Sequence, residues 1–308
     1  MPRDSSATGA GTGGFNLDAM LAMLITIGML AFNEERQIDR TIQSLLGQSV
    51  FRDRWREHES DEWEIVVVPN GCKDRTHEVA LGRLTQGIPD LAAKKVRFRV
   101  ESLAQAGKSN AWNELVHRIA SPRTGVFVMM DADIEFGHVD TIHNCLGRLL
   151  QDDHVQVVVD LPLKDFTRKS RLTTFERISA GVSRMNLDAR PGISGQFYCI
   201  RGSLVRQVWM PVGLSVEDGF LNAMVATNCF RSDPDPSRVV RAQDASHYFE
   251  GLVSLRKVIR HEVRLVMGTV LNCFLCWDTC CSSPRRMEPA PDSWCVKTTN
   301  RSPTGIGG

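Results

Sequence analysis

Two aspartates, Asp131 and Asp133, stand one residue apart directly after an apolar run at residues 125–130. A carboxylate pair at the end of a buried run is costly unless it pairs or binds a cation. Hard oxygen donors at this spacing suit Mg²⁺ or Mn²⁺ shared with phosphate oxygens. The blander account is that one aspartate caps the next turn while the other is solvated. An isolated pair does not decide between the two. Here the pair is not isolated. Phe32, Asn33, Glu34 and Glu35 follow an earlier apolar run, Asn70, Gly71, Cys72, Lys73 and Asp74 follow another, and Gly107, Lys108, Ser109 and Asn110 follow a third.

The elements that position these groups are legible in the spacing. Residues 25–31 form an uncharged apolar run, as a strand buried on both faces requires. Residues 34–48 have helical spacing through Ile38, Ile42, Leu45 and Leu46. Further strands are expected at 64–68, 96–100, 125–130, 155–160 and 197–200. Further helices are expected at 74–84, 107–119, 139–150, 202–208, 217–227 and 252–271. Strands separated by helices of this length imply an α/β fold with a mostly parallel central sheet flanked by helices. Ligands of such sheets bind beyond the carboxyl ends of the strands. The polar segments above therefore line one edge.

Bulk properties narrow the class. The chain has 308 residues, 42% hydrophobic and 24% charged, ordinary for a globular protein. A net charge of +1 gives no global field toward nucleic acid, so any bound anion must be held locally. There are nine cysteines, and an odd count without a secretory signal argues against a disulfide framework. A cytoplasmic setting is expected. Residues 1–22 are expected to be poorly ordered, and 282–308, rich in Pro, Ser, Thr and Gly, to be a disordered tail. The apolar runs at 19–32 and 265–277 are too short to span a bilayer. Arg256, Lys257, Arg260 and Arg264 beside the second run point to peripheral contact with a membrane surface. Nothing in the sequence fixes an oligomeric state.

The ordered series resembles the large family 2 of inverting glycosyltransferases with the GT-A fold. It comprises Ala31 to Glu35, Val68 to Thr76, Gly107 to Ala111, and Asp131, Ala132 and Asp133. Ser194 to Arg201 and the pair Glu217 and Asp218 extend it. The resemblance covers about residues 25–265. It implies one domain over 23–272, with a donor-nucleotide half at 23–135 and an acceptor half at 136–272. It implies that Phe32, Asn33, Glu35 and Asn70 meet the nucleoside, with Asp74 assisting or only capping its helix. Lys108 and Arg260 would meet the diphosphate, while Gly195 and Gln196 would form the loop under the sugars. Asp131 would hold the ribose or the metal, and Asp133 the metal itself, Mn²⁺ or Mg²⁺. Asp218, beside Glu217, would deprotonate the acceptor hydroxyl. His247 would be a third metal ligand, or a structural histidine. Glu35, Glu217 and Asp218 equally suit the first turns of helices, and Lys108 a solvated helix start.

The implied reaction moves a sugar from a nucleotide-sugar, leaning to UDP, onto a hydroxyl of a lipid, saccharide or small molecule. Asn70 and Cys72 depart from the acidic segment usual after the second strand, which weakens base selectivity. Residues 257–261 retain only Arg260 of the Gln-x-x-Arg-Trp motif of processive members, which favours single transfers. One alternative is a catalytically inactive nucleotide-sugar-binding protein. Another is a sugar nucleotidyltransferase, but Phe32 to Glu35 stand where that class needs a Gly-rich phosphate loop.

Overall fold

All eight residues of β1 (Leu24–Ala31) are buried. A strand can lose water on both faces only if helices cover both, and that requirement organises the molecule. The computed structural model describes residues 23–52, 61–88, 95–169, 171–173, 176–177, 191–214, 216–251, 259, 263–264 and 266–270. The expected N-terminal segment 1–22, the tail 282–308 and Arg256, Lys257 and Arg260 lie outside the described residues.

The remaining strands are β2 (Glu62–Pro69), β3 (Val96–Val100), β4 (Thr124–Asp131), β5 (Glu135–Phe136), β6 (Val157–Lys164), β7 (Phe197–Arg201) and β8 (Val239–Phe249). They form one sheet in the order β3-β2-β1-β4-β7-β6-β8-β5. β1 pairs in parallel with β2 and β4, β2 with β3, and β6 with β8. β7 runs antiparallel to both β4 and β6, and β5 antiparallel to β8. β1, β2, β3, β4, β6 and β8 therefore send their carboxyl ends to one rim. The sheet is mostly parallel, as expected.

The helices are α1 (Ile38–Leu46), α2 (Thr76–Gly87), α3 (Lys108–Glu114), α4 (Thr141–Leu150), α5 (Gly202–Val205) and α6 (Glu217–Ala226). Alternation along β1 divides the core. Ile25, Ile27 and Met29 pack with Ile38, Ile42 and Leu45 of α1 and Ile142, Leu146 and Leu149 of α4. Leu30 faces the other way, with Trp112, Leu204, Val205 and Leu221. Each such aliphatic side chain, fully buried, contributes roughly 1.5–3 kcal/mol.

Four elements differ most from the expected ones. The helix expected from residue 34 begins at Ile38, because the Gln37 and Ile38 N–H groups both donate to the Glu34 carbonyl in a preceding turn (3.0 and 2.9 Å). The helix expected over 107–119 is α3 followed by a wider π turn, Leu115–Ile119. β8 and β5 had no sequence signal. β8 contains Arg241, Gln243 and Asp244, and Asp244 sits at φ 49°, so its alternation is broken. Its pairing with β6 shifts register between Val159 and Leu161.

Candidate active site

The rim is built by clamping the loops after β1 and β2 to one another. Asn33, at φ 57°, accepts the Lys73 N–H at its side-chain oxygen (2.8 Å), and its own N–H meets Cys72 Sγ (3.2 Å). Glu35 accepts the Arg75 N–H (3.1 Å) and donates its own N–H to Asp74 (3.1 Å). The other Asp74 oxygen takes the Thr76 N–H (3.1 Å) and hydroxyl (2.5 Å). Desolvation pushes Asp74 upward, but these donors outweigh it and hold its carboxyl below the ordinary range. Asp74 thus caps α2, one of its two expected roles. Phe32 stands half-exposed beside this clamp.

Asn70 was expected to face the nucleoside. Instead it is 3% exposed and its amide is spent on backbone. Its Nδ2 donates to the Ala31 carbonyl (2.7 Å), and its oxygen accepts the Gly107 N–H (3.1 Å). It ties β1 to the loop that starts α3, where an aspartate could accept but not donate. Gly71 closes the same turn at φ 65°, and a Cβ there would meet Ala106 backbone at 2.6 Å.

Lys108 is the hub. Its ammonium lies 2.7 Å from Asp131 Oδ1, 3.3 Å from Glu217 Oε1 and 3.0 Å from the Gly195 carbonyl oxygen. The first turn of α3, the end of β4, the loop before β7 and the first turn of α6 therefore meet at one point. Desolvation alone would lower the Lys108 ammonium, but Asp131 and Glu217 outweigh it and raise it above its ordinary value. Asp131 moves the opposite way from a simple ion pair. Desolvation lifts its carboxyl to about 6; Lys108 opposes and Asp133 adds to the lift. Asp218 is also raised by desolvation, with the Gly219 N–H opposing (2.8 Å to Oδ1) and Glu217 adding. Gly195, at φ 62°, keeps the gap open: a Cβ there would lie 3.5 Å from Asp218 Cβ and 3.7 Å from both Glu217 Oε1 and Lys108 Nζ.

Behind these charges lies an apolar recess formed by Leu30, Met129, Ile193, Met210 and Leu221. Its wall includes Trp112, whose indole N–H donates to the Tyr198 hydroxyl (2.8 Å). Nothing in the spacing marked Trp112, Tyr198 or Ile193, since each reads as ordinary core.

Asp133 stands exposed at the rim, and Gln196 accepts the Asp131 N–H at its carbonyl (2.9 Å). His247 is fully buried on β8. Its Nδ1 lies 2.9 Å from both Asp160 oxygens and its Nε2 3.3 Å from Gln196 Oε1. Among the described residues, no three His, Cys, Asp or Glu side chains converge as a ready metal cage. The chemistry of the rim nevertheless fits a divalent cation. Burial above all, with Asp133 and Asp131 adding, pushes Glu34 up to about 7, and the part due to those acids is what a cation would relieve. Asp160 holds His247 by one nitrogen with the other turned to the rim-side Gln196, the way a carboxylate orients a ligating imidazole. Asp160 was missed, although an acid ending the apolar run 155–160 is the signal that singled out Asp131.

A mostly parallel sheet with paired carboxylates ending its central strand β4, and a second acidic pair opening a helix across the rim, is the GT-A arrangement of glycosyltransferases. The sequence profile of Glycosyl transferase family 2 matches residues 26–209. The chain belongs to that family and is a glycosyltransferase. No curated protein matches. Among solved structures it is similar to glucosyl-3-phosphoglycerate synthase from Mycobacterium tuberculosis. The complex with Mn²⁺, uridine-diphosphate and phosphoglyceric acid shares 19% identity over 82% of this chain and 78% of that one, at TM-score 0.53. The complex with Mn²⁺, UDP-glucose and phosphoglyceric acid shares 18% over 82% and 80%, also at 0.53. The complex with Mg²⁺ and uridine-diphosphate shares 18% over 82% and 79%, at 0.51. At this identity the likeness is one of fold.

Proposed function

We propose that the chain is an inverting, non-processive glycosyltransferase that moves a sugar from a UDP-sugar to a hydroxyl acceptor, with Mn²⁺ or Mg²⁺ bound. The observation that carries this reading is the Lys108 hub, which joins the Asp131 end of β4 to Glu217 beside Asp218. Residues 23–135 form the donor half and 136–272 the acceptor half. The structurally similar synthase with bound uridine-diphosphate supports the choice of UDP.

In this reading Asp131 and Asp133 would hold the cation, with His247 the candidate third ligand. A bound divalent ion would neutralise charge on the departing nucleoside diphosphate. Phe32, Asn33 and Glu35 border the nucleoside, and Asn70 and Asp74 fix the loops that shape its slot. Lys108 exchanges a carboxylate partner for a diphosphate oxygen, with the start of α3 adding backbone N–H groups. Arg260, outside the described residues, would act on the same diphosphate. Gly195 and Gln196 floor the sugar site, and Gly195 leaves the room that any side chain would take. Asp218 accepts the acceptor's hydroxyl proton; its burial raises its basicity, as a general base requires. Glu217 keeps Lys108 oriented. Attack opposite the diphosphate inverts the anomeric centre.

Peripheral contact with an anionic membrane belongs to the same reading. No helix of the described residues is long and apolar enough to cross a membrane. Ile259, Val263, Val266, Met267 and Val270 recur at helical spacing, each 48–64% exposed. On the other side Gly268 packs against Val216, next to Glu217. Arg264 is exposed beside this apolar stripe.

Calorimetry with UDP and GDP, with and without Mn²⁺, tests the donor reading. Mn²⁺-dependent UDP binding that is lost in Asp133→Ala is expected. Equal, metal-independent affinity for both nucleotides would overturn it. Binding without any UDP-sugar turnover would mark the inactive alternative.

A further inference from the structure

β8 is deformed where it passes β6, and the deformation brings His247 to Asp160. β8 advances from Arg241 to Ser246 while β6 advances only from Val159 to Leu161, so the extra β8 residues bulge opposite Asp160. Bulges re-aim side chains and are common beside active sites. This one is held from outside. Asn144 Nδ2 donates to the Asp244 carbonyl (2.9 Å), the Ser246 N–H to the Thr141 hydroxyl (3.1 Å), and the Gly137 N–H to the Ser246 carbonyl (2.8 Å). Past the bulge, His247 pairs with Phe136 of β5, three residues after Asp133. Both Asp160 and His247 are buried, and the Phe197 and Phe249 rings lie 6.3 and 6.2 Å from the imidazole. A buried polar pair in such a place is no more stable than an apolar pair of the same size, so stability does not account for it.

A carboxylate only accepts hydrogen bonds. Both Asp160 oxygens lie 2.9 Å from His247 Nδ1, so that nitrogen carries a proton, and in the neutral ring Nε2 keeps its lone pair. Nε2 faces the Gln196 side chain (3.3 Å), and the Gln196 carbonyl accepts the Asp131 N–H (2.9 Å). The free nitrogen is therefore turned toward the residue that is bonded to the end of β4. Resting on the metal reading above, we infer that Asp160 is a positioning residue, which fixes the ring and the tautomer of His247 so that Nε2 is the nitrogen presented to a divalent cation. Outer partners of this kind commonly set how tightly a metal is held.

Mn²⁺ titrations of the full chain with UDP present, followed by electron paramagnetic resonance at one fixed pH, test this. Asp160→Asn should weaken Mn²⁺ binding about 10–100-fold, because an amide holds the Nδ1–H less strongly and can also donate to Nδ1, which puts the proton on Nε2. A loss under about threefold overturns the inference. If Asp160 acts through the ring, the same change in a His247→Ala background should cost less than about twofold. A purely structural or long-range electrostatic role would give equal losses in both backgrounds, and that result also overturns it. A second measurement needs no Asp160 variant. In metal-free wild type labelled with ¹⁵N-histidine, NMR should find the buried ring, assigned by its loss in His247→Ala, as the Nδ1–H tautomer; the Nε2–H tautomer overturns the inference. Wild type that binds Mn²⁺ no better than His247→Ala removes His247 as a ligand and the inference with it, leaving the donor reading intact. Wild type that binds neither UDP nor Mn²⁺ ends both.

Discussion

Replacing Lys108 with methionine removes the one cation at the hub while keeping a long flexible side chain. The ammonium lies 2.7 Å from Asp131 and 3.3 Å from Glu217. A charge-assisted bond is worth about 1.5–3 kcal/mol. The Lys108 side chain is 36% exposed, so the stability lost is discounted to about 1–2 kcal/mol. The loss depends on pH, and its sign follows from Asp131. That carboxyl titrates at about 6 in the fold, above its ordinary 3.8. A carboxyl raised in the folded state binds its proton more tightly there than in the unfolded chain, so ionisation subtracts stability. Metal-free wild-type protein should therefore lose stability as pH rises from about 4 to about 6, by roughly 2–3 kcal/mol from this group. Without Lys108 the opposing attraction is gone, Asp131 rises further, and the decline extends to higher pH. Denaturant unfolding in EDTA measures this directly. The variant should be nearly as stable as wild type at about pH 5 and clearly less stable at about pH 8. The same loss at both pH values would refute the Lys108–Asp131 coupling. Mn²⁺-dependent UDP affinity should fall in the same variant, because the diphosphate has lost its ammonium.

Three further outcomes follow from single contacts. Asp218→Asn should lower turnover by about 10²–10⁴-fold while leaving UDP affinity intact, because it removes only the base; a parallel loss of UDP affinity by calorimetry would contradict that role. Asn70→Ala strands the Gly107 N–H and removes one donor to the Ala31 carbonyl, which keeps the residue-70 N–H, and should cost roughly 1–3 kcal/mol in denaturant unfolding. A change under about 0.5 kcal/mol would mean those groups find other partners. Val266→Asp combined with Met267→Asp should abolish co-sedimentation with anionic liposomes at low salt without changing UDP binding, and failure of the wild type to sediment would dismiss the membrane contact.

The stretch up to residue 135 was the more legible part, for a physical reason. β1, β2 and β4 are buried almost throughout, so each carries an apolar run that stops where the chain reaches the rim, whereas the half-exposed β3 alternates. Asp131 is conspicuous because it ends such a run. Asp160 ends another run in the same manner, yet it looked like an ordinary strand terminus. Its role depends on His247, which lies 87 residues away in sequence. That partner sits on β8, whose alternation is broken at Asp244, and local spacing could not place it.

The distinction between contact and support was the harder one to read. Asn70, Asp74 and Glu35 occupy the positions that would touch a nucleoside, but their side chains are bonded to backbone N–H and carbonyl groups of neighbouring loops. A polar residue at a strand end can bind a ligand or satisfy orphaned backbone, and the sequence string is the same in both cases. What separates them is how many partners the fold supplies. Lys108 has three partners and still reaches the recess, because two of them are carboxylates that attract a cation as well as an ammonium. Asn70 has a backbone partner at each end of its amide and 3% exposure, so it serves as support more than contact. The groups able to do chemistry here are those whose partners can be displaced by charge, and Lys108, Asp131 and Glu217 meet that condition together.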